Sequence, residues 1–230
     1  MKTTVNLTAL LSACLVAAAM PVWAEEKKPN LVANAPVAAP GGAVTLAMAQ
    51  ELFQIGLARK DALSVLTAAR LAASVDAKTV ERSKTTEGTA LAGQEDGTGA
   101  PVDAKAMLAK ARELAGEDET LAGLVEDAEA EGTRGRMGGA SQTLSALSAG
   151  QTDVWQVPFY GESYAEVAVI GDGDANLDVL VTDENGNTIC FEVSWSDKMS
   201  CSFTPAWNGY FHVAVQNNGA KLNSYYLLTN

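Results

Sequence analysis

The 230-residue chain carries one histidine, His212. A lone imidazole, without cysteine or carboxylate company at matching spacing, cannot build a zinc site. There is no HExxH, no GxSxG elbow and no credible Ser-His-Asp set. Basic residues are also few. Lys and Arg number 16 against 28 Asp and Glu, a net charge of −12. That balance repels phosphate backbones and anionic headgroups, which argues against nucleic-acid and peripheral membrane binding. Long apolar runs are missing beyond residue 24, so no transmembrane helix is expected there. Cysteine is nearly absent, with only Cys14, Cys190 and Cys201.

The first 24 residues read as a secretory signal. Lys2 gives a short positive start, an apolar run through Met20 follows, and Val22-Trp23-Ala24 is a small-x-small cleavage site. Leu11-Ser12-Ala13-Cys14 offers a rival, a lipobox that would lipidate Cys14. The residues after Cys14 stay strongly apolar, which favours cleavage after Ala24. A periplasmic or secreted bacterial protein is expected. Cleavage would leave Cys190 and Cys201, and an even pair in an exported chain implies a disulfide. Closing that short loop should contribute roughly 3 kcal/mol by the chain-entropy argument.

Residues 25–42, rich in Ala, Pro, Lys and Gly, read as a disordered leader. Residues 43–131 read as helical hairpins. Met48, Leu52, Ile55 and Arg59 form one stripe, with Phe53 and Leu57 beside it. Asp61 suits an N-cap, followed by Ala62, Val65, Leu66, Ala69 and Ala73. Residues 76–101 are punctuated by Gly, Ser and Thr and read as a flexible linker. Asp103 caps a third helix through Met107, Ala111 and Leu114, which Gly116 can stop. A fourth carries Leu121, Leu124, Val125 and Ala128. Neither pair has much core alone, so the two are expected to pack together.

Residues 132–141 read as a hinge, and beyond them alternation replaces helical period. Leu177, Val179 and Val181 point one way, as do Phe211, Val213 and Val215. Asn185-Gly186, Asn208-Gly209 and Asn218-Gly219 mark turns. About seven short strands at this spacing suggest a β-sandwich over residues 142–230. The fold class is therefore a two-part α plus β chain, with short helical hairpins and then an all-β sandwich.

The β half also resembles a known family. Asp153-Val154-Trp155, the run from Gly171 to Gly186, Trp207-Asn208-Gly209-Tyr210-Phe211, Val213-Ala214-Val215 and Tyr225-Tyr226-Leu227 carry the likeness. They resemble the bacterial pre-peptidase C-terminal domain. The resemblance implies a jelly-roll-like sandwich in an extracytoplasmic setting and brings no catalytic residues. Such domains accompany catalytic domains, and nothing in the helical half is patterned as one.

Asp172, Asp174, Asn176 and Asp178, with Asp183 nearby, put oxygen ligands at alternating positions, which suits calcium. Leu177 and Asp183 stand where an EF-hand needs glycine and glutamate, so the loop is not one. The competing reading is a solvated acidic turn. Trp155, Trp195, Trp207 and Tyr210 could form a ligand platform, against ordinary core packing. Glu162 with Glu166, or Glu184 with Glu192, could be nominated as a hydrolase carboxylate pair. The leading expectation is a non-catalytic binding or accessory module, possessing no catalytic set. Its helices would dock a partner protein, and its sandwich would hold a partner or a cell-surface polymer. A small hydrolase and a self-associating envelope protein are the alternatives.

Overall fold

The computed structural model describes residues 27–95, 97, 99–131 and 137–230. The signal segment, Cys14 and residues 132–136 of the expected hinge lie outside the described residues.

Among the described residues, four helices form the N-terminal half. Helices α1 (Gly42–Arg59) and α2 (Ala62–Ala73) make a hairpin, as do α3 (Ala104–Ala115) and α4 (Glu119–Glu131). The caps expected from sequence form. Asp61 accepts from the Leu63 and Ser64 amides and Asp103 from the Ala106 amide. The pairs share one core around Ala49, Phe53, Val65, Leu66, Ala69, Met107, Ala111 and Val125. The expected stripe of α1 is not the buried one, since Met48 and Ile55 are about half exposed. The helix instead buries its small residues. A Cβ on Gly56 would come within 2.7 Å of Val65, so close hairpin packing requires glycine there.

Among the described residues, ten strands form two five-stranded sheets. Sheet A has the order β1-β3-β10-β5-β8 and sheet B the order β2-β4-β9-β6-β7. The strands are β1 (Val75–Thr79), β2 (Lys84–Glu87), β3 (Met137–Leu147), β4 (Thr152–Phe159), β5 (Ala165–Gly171), β6 (Leu177–Thr182), β7 (Thr188–Glu192), β8 (Lys198–Phe203), β9 (Gly209–Asn217) and β10 (Asn223–Thr229). Only β1 with β3 is parallel among the strand pairs. Leu177, Val179, Val181, Phe211, Val213 and Val215 point into the core, as their alternation requires. Strands β5 and β10 are buried on both faces. One face meets sheet B, while Ala168, Ile170 and Leu228 on the other lie under Ala43 and Ala47 of α1. Cys190 on β7 and Cys201 on β8 are disulfide-bonded, which ties the two sheets at neighbouring edges.

Three stretches differ from expectation. The segment read as a flexible linker, 76–101, supplies β2 and most of β1, one edge strand to each sheet. Edge strands tolerate polar side chains, so no apolar pattern betrays them. Arg82, between them, lies along sheet A and donates to Thr143, Thr229 and the Ser141 carbonyl. Residues 137–141, assigned to the hinge, begin β3. The leader is pinned rather than loose. Asn30 is fully buried, and the Val32 amide donates to the Thr204 carbonyl.

Glu166 of β5 joins the halves. Wholly buried, its carboxylate accepts from the Gly41, Ala43 and Val44 amides and from the Tyr164 hydroxyl. Gly41 offers no side-chain cap, so the sandwich caps α1 with an anion at its positive end.

Candidate binding surface

With α1 over sheet A, the outer face of sheet B is the open sheet face. At one end the antiparallel register of β4 and β9 sets Pro158 opposite Tyr210 and Phe159 opposite Gly209. These residues, with Tyr160 and Asn208, line a groove of about 310 Å³. Tyr160 and Tyr210 stand exposed in its lining, at 77% and 53%, and Trp207, the chain neighbour of the lining residue Asn208, is 41% exposed. Aromatic rings with an apolar body and a polar tip suit a surface that is partly wet.

The groove is held from behind. Asn30 Oδ1 accepts from the Ala206 and Trp207 amides, and its Nδ2 donates to the Trp207 carbonyl. Trp207 Nε1 donates to Glu184 Oε1 at 2.5 Å, fixing the indole. A Cβ on Gly209 would meet Asn30 Nδ2 at 2.6 Å, and one on Gly161 would meet the Trp207 backbone at 2.5 Å. Asp183 organises the adjacent turn by accepting from the amides of Asn30, Asn185 and Asn187 and from Asn187 Nδ2. Burial pushes its carboxyl upward, but the donors of Asn187, Asn30 and Asn185 outweigh this and hold it below the usual range.

The four expected platform residues do not meet. Trp155 is in the core, 2% exposed, and donates to the Tyr225 hydroxyl. It sits beside Asp153, a buried carboxylate that also accepts from Lys84, Thr86, Ser145 and Tyr225. Burial first, then Asp153, pushes the Tyr225 phenol far up. Trp195 is 96% exposed in the β7–β8 connection, near the Leu177 end of β6 and away from the groove. Of the four, Tyr210 lines the groove and Trp207 adjoins its lining residue Asn208 in the chain, while Tyr160, which was not among them, lines it too. Nothing local in the sequence signals Asn30, which reaches the site across more than 170 residues.

The five expected calcium residues are also split. Asp172, Asp174, Asn176 and Asp178 lie at the start of β6, while Asp183 follows its far end. The strand between them spans about 17 Å at 3.3 Å per residue. Asp178 is engaged by Asn176 Nδ2 and Asn218 Nδ2. Asp172 accepts from the Asp174 and Ser224 amides. Among the described residues no three His, Cys, Asp or Glu side chains converge as a metal-binding group. Of the nominated carboxylate pairs, Glu166 is sealed under α1, Glu184 holds Trp207, and Glu192 accepts from the Ser194 amide. His212 is half-buried on the outer face of sheet B.

No family model matches the chain, and no curated protein matches it. Among solved structures, it is similar to the pre-peptidase C-terminal domain of collagenase from Bacillus anthracis. That match has 6% identity and a TM-score of 0.27, covering 68% of this chain and 96% of that one. It is also similar to the carbohydrate-binding module CBM36 in complex with calcium and xylotriose. There the identity is 13% and the TM-score 0.22, covering 38% of this chain and 86% of that one. No helix among the described residues is long and apolar enough to cross a membrane.

Proposed function

We propose that the protein is an exported, non-catalytic module that holds a carbohydrate polymer of the cell surface in the groove between Tyr160, Trp207 and Tyr210. The observation that carries this reading is the exposed, prefixed ring set. Three aromatic faces stand in water, yet the loop bearing Trp207 is locked by Asn30 and Glu184. Side chains ordered before binding lose little freedom when a ligand arrives. Sugar rings present flat C–H faces to such aromatics, and Asn208 and Glu184 supply polar partners at the rim. Calcium enters this reading as a structural ion of the sandwich, not as a reagent.

The test is affinity electrophoresis through gels containing xylan or soluble peptidoglycan fragments. Retardation is expected for the native chain. Tyr160→Ala and Tyr210→Ala should each weaken it about tenfold, near 1.4 kcal/mol. Asn30→Ala should weaken it too, with a red-shifted Trp207 emission as the loop loosens. Absence of retardation on every polymer, or retention unaltered in the double tyrosine variant, refutes the assignment.

A further inference from the structure

Two buried amide oxygens lack a hydrogen-bond partner among the described residues: Oδ1 of Asn176 and Oδ1 of Asn223. Asn223 is fully buried. Neither amide can be turned to cure this. Asn223 Nδ2 donates to the Ala175 carbonyl at 2.9 Å, and Asn176 Nδ2 donates to Asp178 Oδ1 at 2.9 Å. Each amide therefore offers its oxygen at the turn between β5 and β6. The same turn holds Asp172, bound at Oδ2 by the amide of Ser224, the residue after Asn223.

The charge around this turn favours a cation. Lys198 is engaged by Asp197, and Lys221 by Glu95, with Asp174 of the turn also acting on the Lys221 ammonium. Among the described residues no ammonium or guanidinium pairs with Asp172. Burial, and then the neighbouring Asp174 and Asp197, raise the Asp172 carboxyl despite its two amide bonds. Amide and carboxylate oxygens are hard ligands of the kind calcium takes.

We propose that Asp172, Asn176 and Asn223 hold a calcium ion, one carboxylate and two amide oxygens joining β10 to the β5–β6 turn. Water completes the shell, and the site belongs to the weak, millimolar class of extracellular modules. This differs from the set expected from sequence. Asp183 lies at the other end of β6, and Asp178 serves to orient Asn176 and Asn218. Asn223 enters from strand β10. The inference supplies ligands for the calcium part of the proposed function and is independent of the aromatic groove.

The test is thermal melting of the purified, disulfide-bonded protein in chelator, in about 5 mM calcium chloride, in magnesium chloride, and in sodium chloride of equal ionic strength. The sodium control matters because a chain of net charge −12 gains stability from screening alone. At tenfold excess over Kd, calcium should raise Tm by roughly 3–6 °C beyond the sodium control. Magnesium should do less, because it demands a tighter octahedron and sheds water reluctantly. Asp172→Asn should abolish the calcium-specific rise from a somewhat lower baseline in chelator, because its NH2 group would face one of the two amides, of Asp174 and Ser224, from which the carboxylate accepts. Asn223→Ala should abolish it too, from a lower baseline, having lost its bond to Ala175. Titration calorimetry with calcium chloride reads the same loss without reference to stability. Retardation by polysaccharide should persist in Asp172→Asn, which separates this site from the groove. No calcium-specific rise in the native chain would mean that water alone satisfies the two oxygens. A rise undiminished in both variants would place the ion elsewhere. Either result overturns the assignment.

Discussion

Replacing Glu166 by alanine should detach helix α1 from the sandwich. The carboxylate accepts from three backbone amides of the first helical turn and from Tyr164, and Gly41 provides no cap of its own. Losing a helix cap costs about 1 kcal/mol. The Ala43 amide is buried, so its unmet donor adds about 1–3 kcal/mol. Gly41 and Val44 are only partly buried, and water can replace the carboxylate there. The expected loss is about 2–4 kcal/mol in all, or roughly 5–15 °C in Tm for a chain of this size. Glu166→Gln keeps one accepting oxygen but turns an NH2 group toward the other amides, so it should lose about half as much. Urea melts give the ranking, and amide hydrogen exchange at Ala43 and Val44 locates it. An alanine variant within about 0.5 kcal/mol of native, the range of an ordinary surface change, would refute the capping argument. So would unchanged exchange at those two amides.

Asp153→Ala should cost about 3–5 kcal/mol, because it strands Lys84 and Tyr225 beside the core with no carboxylate between them. Lys84→Met should cost less, since Lys84 is about a quarter exposed while Asp153 is fully buried. Equal losses in chemical denaturation would contradict this order. Asp183 titrates below its ordinary value in the folded chain. Its contribution is therefore present above the unfolded pKa of about 3.9 and lost as pH falls through the folded value. The stability gap between native and Asp183→Ala should be full at neutral pH and narrow below about pH 4. A gap that stays constant into stronger acid would show that the carboxylate's charge plays no part.

The sequence by itself determined the local and strongly patterned features. Alternation in β6 and β9 set which residues face the core, Asp61 and Asp103 announced two helix starts, and the Cys190–Cys201 pair is bonded. The turn residues marked the strands closely enough to give a sandwich. Each of these signals lies within a few residues of what it controls, and the two bonded cysteines are separated by 11 positions. Tertiary structure decided the rest. Strands β1 and β2 come from a polar stretch whose order depends on sheet edges formed elsewhere in the chain. Helix α1 buries alanines rather than Met48 and Ile55 because β5 and the α2 helix sit close on two sides. Trp155 is a core residue and Trp207 a surface one, although both are tryptophans in the same half. Asn30, Glu166 and Asn223 carry no local motif, and their roles arise from amides and carbonyls brought to them from 40 or more residues away. A buried polar group takes its meaning from the partner the fold supplies, and a single chain of letters does not hold that partner's position.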